Sequence, residues 1–470
     1  MDSNDIPPHF LLATMPYQSH LNPTLHLARR LIHAGARVTV ATTIHGHSRI
    51  KTFLSLQGLA YASFSDGFDE GTSPSDHNQD DVMYKCKYVG SQTLTNLLQN
   101  LSREGRPVTF LIYGMSLSWA ADVARAMSIP SAFLFIQAAA LFAIYHHCLN
   151  ALTGVYYHTE ITNFPPRVIK FEGLPPFEWK DIPSYLLPNS PYFYVTTGFR
   201  EHFQILADDP NPCVLINTFD ALEEHAIKAL SDCSNIKLIT IGPLVPSDKF
   251  LGCDLFENSC HDYYISWLNS KPDCSVVYIS FGSLAVLPRN QIEEIFDAIV
   301  ETGYPFLWVI RASSKDGEED DQQGIKNKMK EEEEQGLIVP WCSQVEVLNH
   351  RAIGCFLTHC GWNSTTECLV AGVPMISFPR FADQSTNAKL VEEVWESGVR
   401  VKVNEDGVAE KEEIKRCLET VMGEGEKGKE MRRNAKKWRG LALEATGEGG
   451  SSANSFKFFM EKHCRRKISQ

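Results

Sequence analysis

Thirteen cysteines occur in this chain of 470 residues, yet no two of them form a Cys-x-x-Cys pair, and their number is odd. That usage fits neither a disulfide framework nor a zinc-binding module. Several, such as Cys355 and Cys360, lie in or beside apolar runs, where a reduced thiol packs as a small hydrophobe. Met1 to Pro8 contains no basic residue and does not read as a signal peptide. A reducing, cytoplasmic setting is therefore expected. Long apolar runs are lacking too. The longest, Ile129 to Tyr145, opens on Ile129-Pro130, is interrupted by Gln137 and closes at His146-His147. It falls short of the roughly 20 residues of a membrane-spanning helix and reads as a buried strand entering a buried helix.

Positive charge is scarce: 44 Lys and Arg stand against 57 Asp and Glu, a formal net charge of -13. Such a surface repels phosphate backbones and anionic headgroups, so nucleic acid and membrane are not expected as partners. Glycine is missing from the first strand-to-helix turn, Pro16-Tyr17-Gln18-Ser19-His20. A nicotinamide-dependent oxidoreductase would need it there. The formal G-x-G-x-x-G match at Gly423–Gly428 follows a helical stretch, Lys411–Met422, and carries two glutamates where a pyrophosphate would approach, so it reads as a helix stop and turn.

What the chain does have is a repeated alternation. Near-continuous apolar runs recur at His9–Thr14, Arg37–Thr43, Val108–Tyr113, Ala132–Ile136, Val214–Phe219 and Lys237–Ile241. A second series follows at Ser275–Phe281, Phe306–Ile310, Leu337–Pro340, Cys355–Thr358, Met375–Phe378 and Val399–Val403. Apolarity without alternation suits parallel strands covered on both faces. Segments with helical spacing, such as Leu25–His33 and Gln291–Thr302, supply the crossovers. The length exceeds a single core, and two doubly wound α/β domains in tandem are expected. An aperiodic, proline-bounded stretch, Pro243–Pro272, marks the join. The charge-dense segment Lys315–Gln335 reads as a solvated loop or frayed helix.

From Trp341 to Gln384 the chain reads WCSQVEVLNHRAIGCFLTHCGWNSTTECLVAGVPMISFPRFADQ. Cys355–Thr358 is a strand, His359-Cys360-Gly361 a tight turn, and Asn363-Ser364 a helix start. Main-chain N–H groups and the positive end of the helix dipole at such a turn make an anion site, to which His359 and Ser364 add donors. An ordinary strand-to-helix turn with a good cap is the alternative reading of these residues taken alone.

As a whole, that stretch resembles the signature box of plant family-one UDP-dependent glycosyltransferases, through Trp341, Gln344, His359, Gly361, Trp362, Asn363, Ser364, Glu367, Pro374, Asp383 and Gln384. The resemblance extends to His20 with Pro23, Leu27 and Leu31, and to Ser275–Ser283. It is nearest the subgroup that glucosylates flavonoids and anthocyanins on ring hydroxyls and crocetin or hormone carboxylates as esters. It implies a GT-B fold, two Rossmann-like parallel-sheet domains facing a cleft: residues 1–243 for the acceptor, 244–272 as linker, 273–454 for the UDP-sugar, and 455–470 as a helix returning to the first domain.

The resemblance also implies roles. Trp341 would stack on uracil, with the backbone of Cys342 on its edge. Gln344 and Glu367 would hold the ribose hydroxyls. Ser283, His359, Asn363 and Ser364 would cradle the diphosphate, without a metal or other cofactor, and Gly361 is a further donor-side residue. Trp362, Asp383 and Gln384 would bind the sugar, a terminal glutamine going with glucose. His20 would be the base that activates the acceptor hydroxyl, an imidazole being mostly neutral at pH 7. Tyr17, Ser19, Gly114 and Gln137 are acceptor-side candidates, with Phe64–Phe68, Gly114–Trp119, Gln137–Tyr145 and Tyr192–Tyr194 as lining.

One position departs from the family pattern. Where an aspartate usually orients the base, counting back from Trp119, this chain has Gly114. Asp122 would stand two helical turns away, roughly 12 Å along the axis. Without that carboxylate His20 is a weaker base, which points to an acidic acceptor, a phenol or a carboxylic acid, over an aliphatic alcohol. The rival expectations are a glucose ester and, further off, a UDP-sugar-binding protein without catalysis.

Overall fold

A computed structural model describes residues 7–50, 54–71, 79–151, 168–187, 190, 194–245, 260–283, 285, 287–310 and 335–464. The charged segment from Lys315 onward, up to residue 334, lies outside the described residues. The chain divides into two compact units: Met1–Trp179 with Ser184–Leu255 and Glu444–Gln470, and Lys180–Pro183 with Phe256–Leu443.

In the first unit, seven strands form one parallel sheet: β1 (His9–Ala13), β2 (Arg37–Thr43), β3 (Leu59–Phe64), β4 (Phe110–Tyr113), β5 (Ser131–Phe135), β6 (Cys213–Ile216) and β7 (Lys237–Thr240), in the order β3-β2-β1-β4-β5-β6-β7. The order reverses between β1 and β4, which pair in register from Phe10↔Phe110 to Ala13↔Tyr113. In open α/β sheets this switch point, at the carboxyl ends of the strands, is where ligands bind. The crossovers are α1 (Gln18–His33), α2 (Ile44–Arg49), α3 (Gln79–Arg103), α4 (Trp119–Ala126), α5 (Ala139–Ala151), α6 (Tyr194–Asp208) and α7 (Asp220–Cys233).

The second unit has α8 (His261–Asn269), β8 (Val276–Ser280), α9 (Arg289–Thr302), β9 (Phe306–Val309), β10 (Gly336–Val339), α10 (Gln344–Leu348), β11 (Ile353–Thr358), α11 (Trp362–Ala371), β12 (Met375–Ser377), α12 (Gln384–Lys389), β13 (Gly398–Arg400), α13 (Lys411–Met422) and the start of α14 (Glu426–Thr446). Its parallel sheet runs β10-β9-β8-β11-β12-β13, switching between β8 and β11. Val277, Ile279, Cys355, Leu357 and Ile376 stack with Ile295, Ile299, Ile414 and Leu418 of α9 and α13 into its core. Burial of such side chains contributes about 1.5–3 kcal/mol each before entropy is counted. The last helix, α15 (Ser451–Cys464), packs Phe459 against Phe10 and Phe110 of the first unit.

Four features differ from expectation. The edge strand β3 has no fully apolar run; most of its residues are half-exposed. The stretch expected to be an aperiodic linker contains α8, whose Tyr264 and Leu268 are buried, and from Phe256 it belongs to the second unit. That unit ends at Leu443, and it also takes in Lys180–Pro183. Asp181, buried, accepts from Arg400 at 2.6 Å and stands 3.4 Å from Lys389, while its carbonyl accepts from Thr386 at 2.6 Å. Two cations offset the cost of burying that carboxylate. Finally, α1 begins at Gln18, within the stretch read as a strand-to-helix turn, so Pro23, a residue suited to a helix's first turn, is its sixth residue. The missing proline N–H would have bonded the carbonyl of Ser19, one turn from the helix start, where loss of a bond is tolerated best. Gly423 to Gly425 fall between α13 and α14, as a helix stop, and Gly428 lies in the first turn of α14.

Candidate active site

In the second unit the strand β11 ends in His359-Cys360-Gly361, and α11 begins at Trp362. Cys360 takes φ 60 and Gly361 is the N-cap, without a side chain to cap the helix. The His359 ring is packed between two glycines. A Cβ on Gly282 or on Gly361 would stand 2.7 Å from its Nε2, and Gly282 has φ +74. Only glycine suits both demands at Gly282. Burial lowers the His359 pKa to about 4, against a small opposing bond to the carbonyl of Ser280. The ring is therefore neutral at pH 7 and meets an anion as an N–H donor, not as a cation. Ser283 follows directly in the turn after β8.

Gln344 and Glu367, the pair expected to hold the ribose, are bonded to each other. Gln344 Nε2 donates to Glu367 at 2.7 Å and to Ser364 Oγ at 2.8 Å, and its Oε1 accepts from the Tyr278 hydroxyl at 3.3 Å. Burial raises the Glu367 pKa to about 7, partly countered by Gln344. Tyr278, in the centre of β8, also lies 3.4 Å from Cys342 Sγ. Ser343 N–H donates to the buried Tyr264 hydroxyl of α8 at 3.1 Å, so α8 holds the loop that carries the half-buried Trp341. Gln384 Oε1 accepts from the amides of Arg380 and Phe381 at 2.8 and 3.1 Å, which fixes the orientation of its carboxamide. The Asp383 carboxylate accepts from Asn387 Nδ2 at 2.7 Å and from the Trp362 amide; burial raises its pKa to about 6. Thus Ser283, Trp341, Cys342, Gln344, His359, Gly361, Trp362, Asn363, Ser364, Glu367, Asp383 and Gln384 all lie in the segments that follow the carboxyl ends of β8, β10, β11 and β12, Glu367 one turn into α11.

In the first unit His20 occupies the first turn of α1, its N–H donating to Tyr17 O at 2.9 Å, with the Tyr17 ring edge-on at 5.4 Å. Burial lowers its pKa to about 4. Its Nδ1 is buried and has no hydrogen-bond partner among the described residues. Thr24 Oγ1 donates to the His20 carbonyl at 2.8 Å and to Thr14 Oγ1 at 3.3 Å. Gly114 lies against the other side of Thr14: its N–H donates to Ala13 O at 2.9 Å, and a Cβ there would meet Ala13 O at 3.5 Å and Thr14 Oγ1 at 3.8 Å. A side chain at 114 would meet only ordinary contacts, so the backbone does not demand glycine. Asp122 is exposed and paired with Arg125 at 3.0 Å. Gln137, after β5, is buried, and its Oε1 has no partner among the described residues. Ser19 is exposed beside Tyr17.

Not all the expected lining belongs to a pocket. Phe64 and Trp119 pack edge-on at 5.8 Å and Tyr145 stacks on Phe199 at 4.3 Å; all three are core residues. Residues 192 and 193 lie outside the described residues. Sequence reasoning overlooked Gly282, Tyr278 and Tyr264, which support the donor-side residues from behind. The Gly282 signal was visible in Ser280-Phe281-Gly282-Ser283, a glycine directly after a buried strand.

Two doubly wound parallel sheets, one with a glycine-packed imidazole and a helix start at its switch point and the other with a neutral histidine at its own, define a GT-B glycosyltransferase. The family model described as UDP-glucoronosyl and UDP-glucosyl transferase matches residues 253–435. A crocetin glucosyltransferase, chloroplastic, of Gardenia jasminoides is 48% identical over 470 residues, covering 96% of this chain and 97% of its own. A phloretin 4'-O-glucosyltransferase of Malus domestica is 45% identical over 471 residues, with 96% and 97% covered. Among solved structures, Os79 from O. sativa in complex with UDP superposes with a TM-score of 0.84 at 32% identity, covering 97% of this chain and 100% of that one. The chain belongs to the plant family-one UDP-glycosyltransferases, and it is an enzyme of that class. Among the described residues no helix is long and apolar enough to cross a membrane.

Proposed function

We propose that the enzyme transfers glucose from UDP-glucose to a phenolic, flavonoid-like hydroxyl of a small plant metabolite, with inversion at the anomeric carbon, in the cytoplasm. Trp341 and the Cys342 backbone take the uracil, and Gln344 with Glu367 takes the ribose. Ser283, neutral His359, Ser364 and the main-chain amides at the start of α11 take the diphosphate, with no metal ion. Asp383, Gln384 and Trp362 take the sugar. As the acceptor oxygen attacks the anomeric carbon, its proton passes to His20. The bond from that carbon to the β-phosphate oxygen breaks, and the charge on the departing UDP is met by N–H donors that need no reorganisation.

The observation that carries the acceptor class is His20: neutral, half-buried, with a lowered pKa and no carboxylate at position 114. A base whose conjugate acid has so low a pKa deprotonates an aliphatic alcohol poorly. A phenol, with a pKa of about 10, asks far less of it. The same observation favours a second reading, glucose-ester formation, because a carboxylic acid with a pKa of about 4 arrives ionised. The named activities of the apple and Gardenia relatives accord with the phenolic reading and, in part, with the second. A panel of phenolic, carboxylic and aliphatic acceptors with UDP-glucose, followed by UDP release and by the alkaline lability of the products, decides. Phenolic glucosides persist in alkali and sugar esters hydrolyse. Turnover of simple aliphatic alcohols as fast as of phenols would refute both readings.

A further inference from the structure

Asn387 lies three residues past Gln384, outside the segment that carried the family resemblance. It sits in the middle of α12, wholly buried. A buried carboxamide must satisfy two donors and an acceptor. Here Nδ2 donates to the carbonyl of Cys360 at 2.9 Å and to Asp383 Oδ2 at 2.7 Å. Both partners are acceptors, so the amide has one orientation; turned over, it would set oxygen against two oxygens. Its Oδ1 has no partner among the described residues. An apolar residue of the same volume would avoid that unpaired oxygen, so what explains an asparagine here is what its nitrogen holds.

The two groups it holds belong to different parts of the donor site. Cys360 is the left-handed residue of the turn that follows β11, between His359, whose imidazole the turn carries, and Gly361, which packs against that ring. Asp383 starts α12, and its carboxylate also accepts the first amide of α11, from Trp362. The hydrogen bonds therefore close a ring: the turn leads covalently into Trp362, Trp362 to Asp383, Asp383 to Asn387, and Asn387 back to Cys360.

We propose that Asn387 is a positioning residue for the donor sugar. Its carboxamide fixes the Asp383 carboxylate against the turn at Cys360, so that sugar hydroxyls and diphosphate are met at one set spacing. This rests on the reading of Asp383 and of that turn given under the proposed function. Asn387 acts through Asp383 and touches no substrate itself.

The test compares UDP with UDP-glucose, by calorimetric titration of the full-length enzyme and of three variants. Asn387→Leu keeps the branched shape, at somewhat greater volume, and removes the donor. Asn387→Asp keeps the shape and puts an oxygen where the N–H group stood. Asn387→Ser keeps one donor, and is the gentlest to the fold. Thermal denaturation without ligand monitors folding. The expected result is that the Leu and Asp variants lose about tenfold in affinity for UDP-glucose relative to UDP, as misplacement of a sugar contact requires. KM for UDP-glucose rises with them while KM for the acceptor stays put, and the Ser variant recovers part of the loss. Folded variants with an unchanged ratio of the two affinities would overturn the proposal. So would a proportionate weakening of both ligands that follows a lowered melting temperature, the mark of a merely structural residue. If the unmodified enzyme bound neither ligand, the donor reading itself would fail, and this one with it.

Discussion

Both units place a buried carboxylate at the start of a helix that follows a central strand, and they use it differently. In the first, Glu223 accepts from the amides of Ala139 and Ala140, at 2.8 and 2.9 Å, with one oxygen each. It reaches them from a non-helical position inside α7 (φ -136, ψ 35). The N-terminal amides of α5, which in this fold could hold an anion, are thereby committed within the chain. In the second unit the helix start after β11 is capped by glycine, and Asp383 takes the Trp362 amide while its other partner is Asn387. The difference is that a carboxylate across a helix start can take two of its amides, as Glu223 does at α5, or the first alone, as Asp383 does at α11.

Four changes would break or sharpen this contrast. His20→Ala should cost the most, about 10²–10⁴ in kcat with a phenolic acceptor, and leave UDP affinity unchanged; a loss of UDP binding would assign His20 to the wrong ligand. Gly282→Ala should come next. A Cβ 2.7 Å from the His359 ring at φ +74 is expected to cost about 1–2 kcal/mol of stability from the backbone alone and to raise the KM for the donor, read by thermal melting and by kinetics.

The third concerns pH. In the role proposed for it, Glu367, with its pKa raised to about 7, accepts ribose hydroxyls only when ionised. Below that pH it is protonated, so donor KM should climb as pH falls from 8 to 6, with about one Glu367 in ten ionised at the lower end. Glu367→Gln should flatten that limb, whereas the limb due to His20 falls near pH 4, being a base whose activity is lost on protonation. Smallest is Gly114→Asp. The position admits a side chain, so melting should shift little, while turnover of aliphatic alcohols rises about tenfold and that of phenols hardly changes.

The two units also differed in how far the sequence disclosed them. The expected donor-side residues other than Ser283 lie within one contiguous segment, where strand, turn and helix start succeed each other; that order alone suggested an anion site, and the individual roles came from the resemblance. Twelve of the thirteen strands stood out because parallel strands buried on both faces are apolar without interruption; β3, at a sheet edge and half-exposed, did not. The start of α1 was misjudged because Pro23 looks like a first-turn residue, and α8 because only Tyr264 and Leu268 of its nine residues are buried. Contacts between distant residues were invisible. Nothing near Asp181 announces its pairing with Arg400, 219 positions on, and nothing near Asn387 announces Cys360. The acceptor side was read least well, since Phe64, Trp119 and Tyr145 have the composition of pocket lining and the packing of a core.

The central claim is that UDP is held by neutral donors around His359, with no cation needed. Calorimetric titration of UDP in the presence of a chelator, into the unmodified enzyme and into His359→Ala, tests it most directly. The account predicts undiminished binding with the chelator and an affinity at least about tenfold weaker in the variant. Binding abolished by the chelator, or an alanine variant that binds UDP as well as the original, would contradict it.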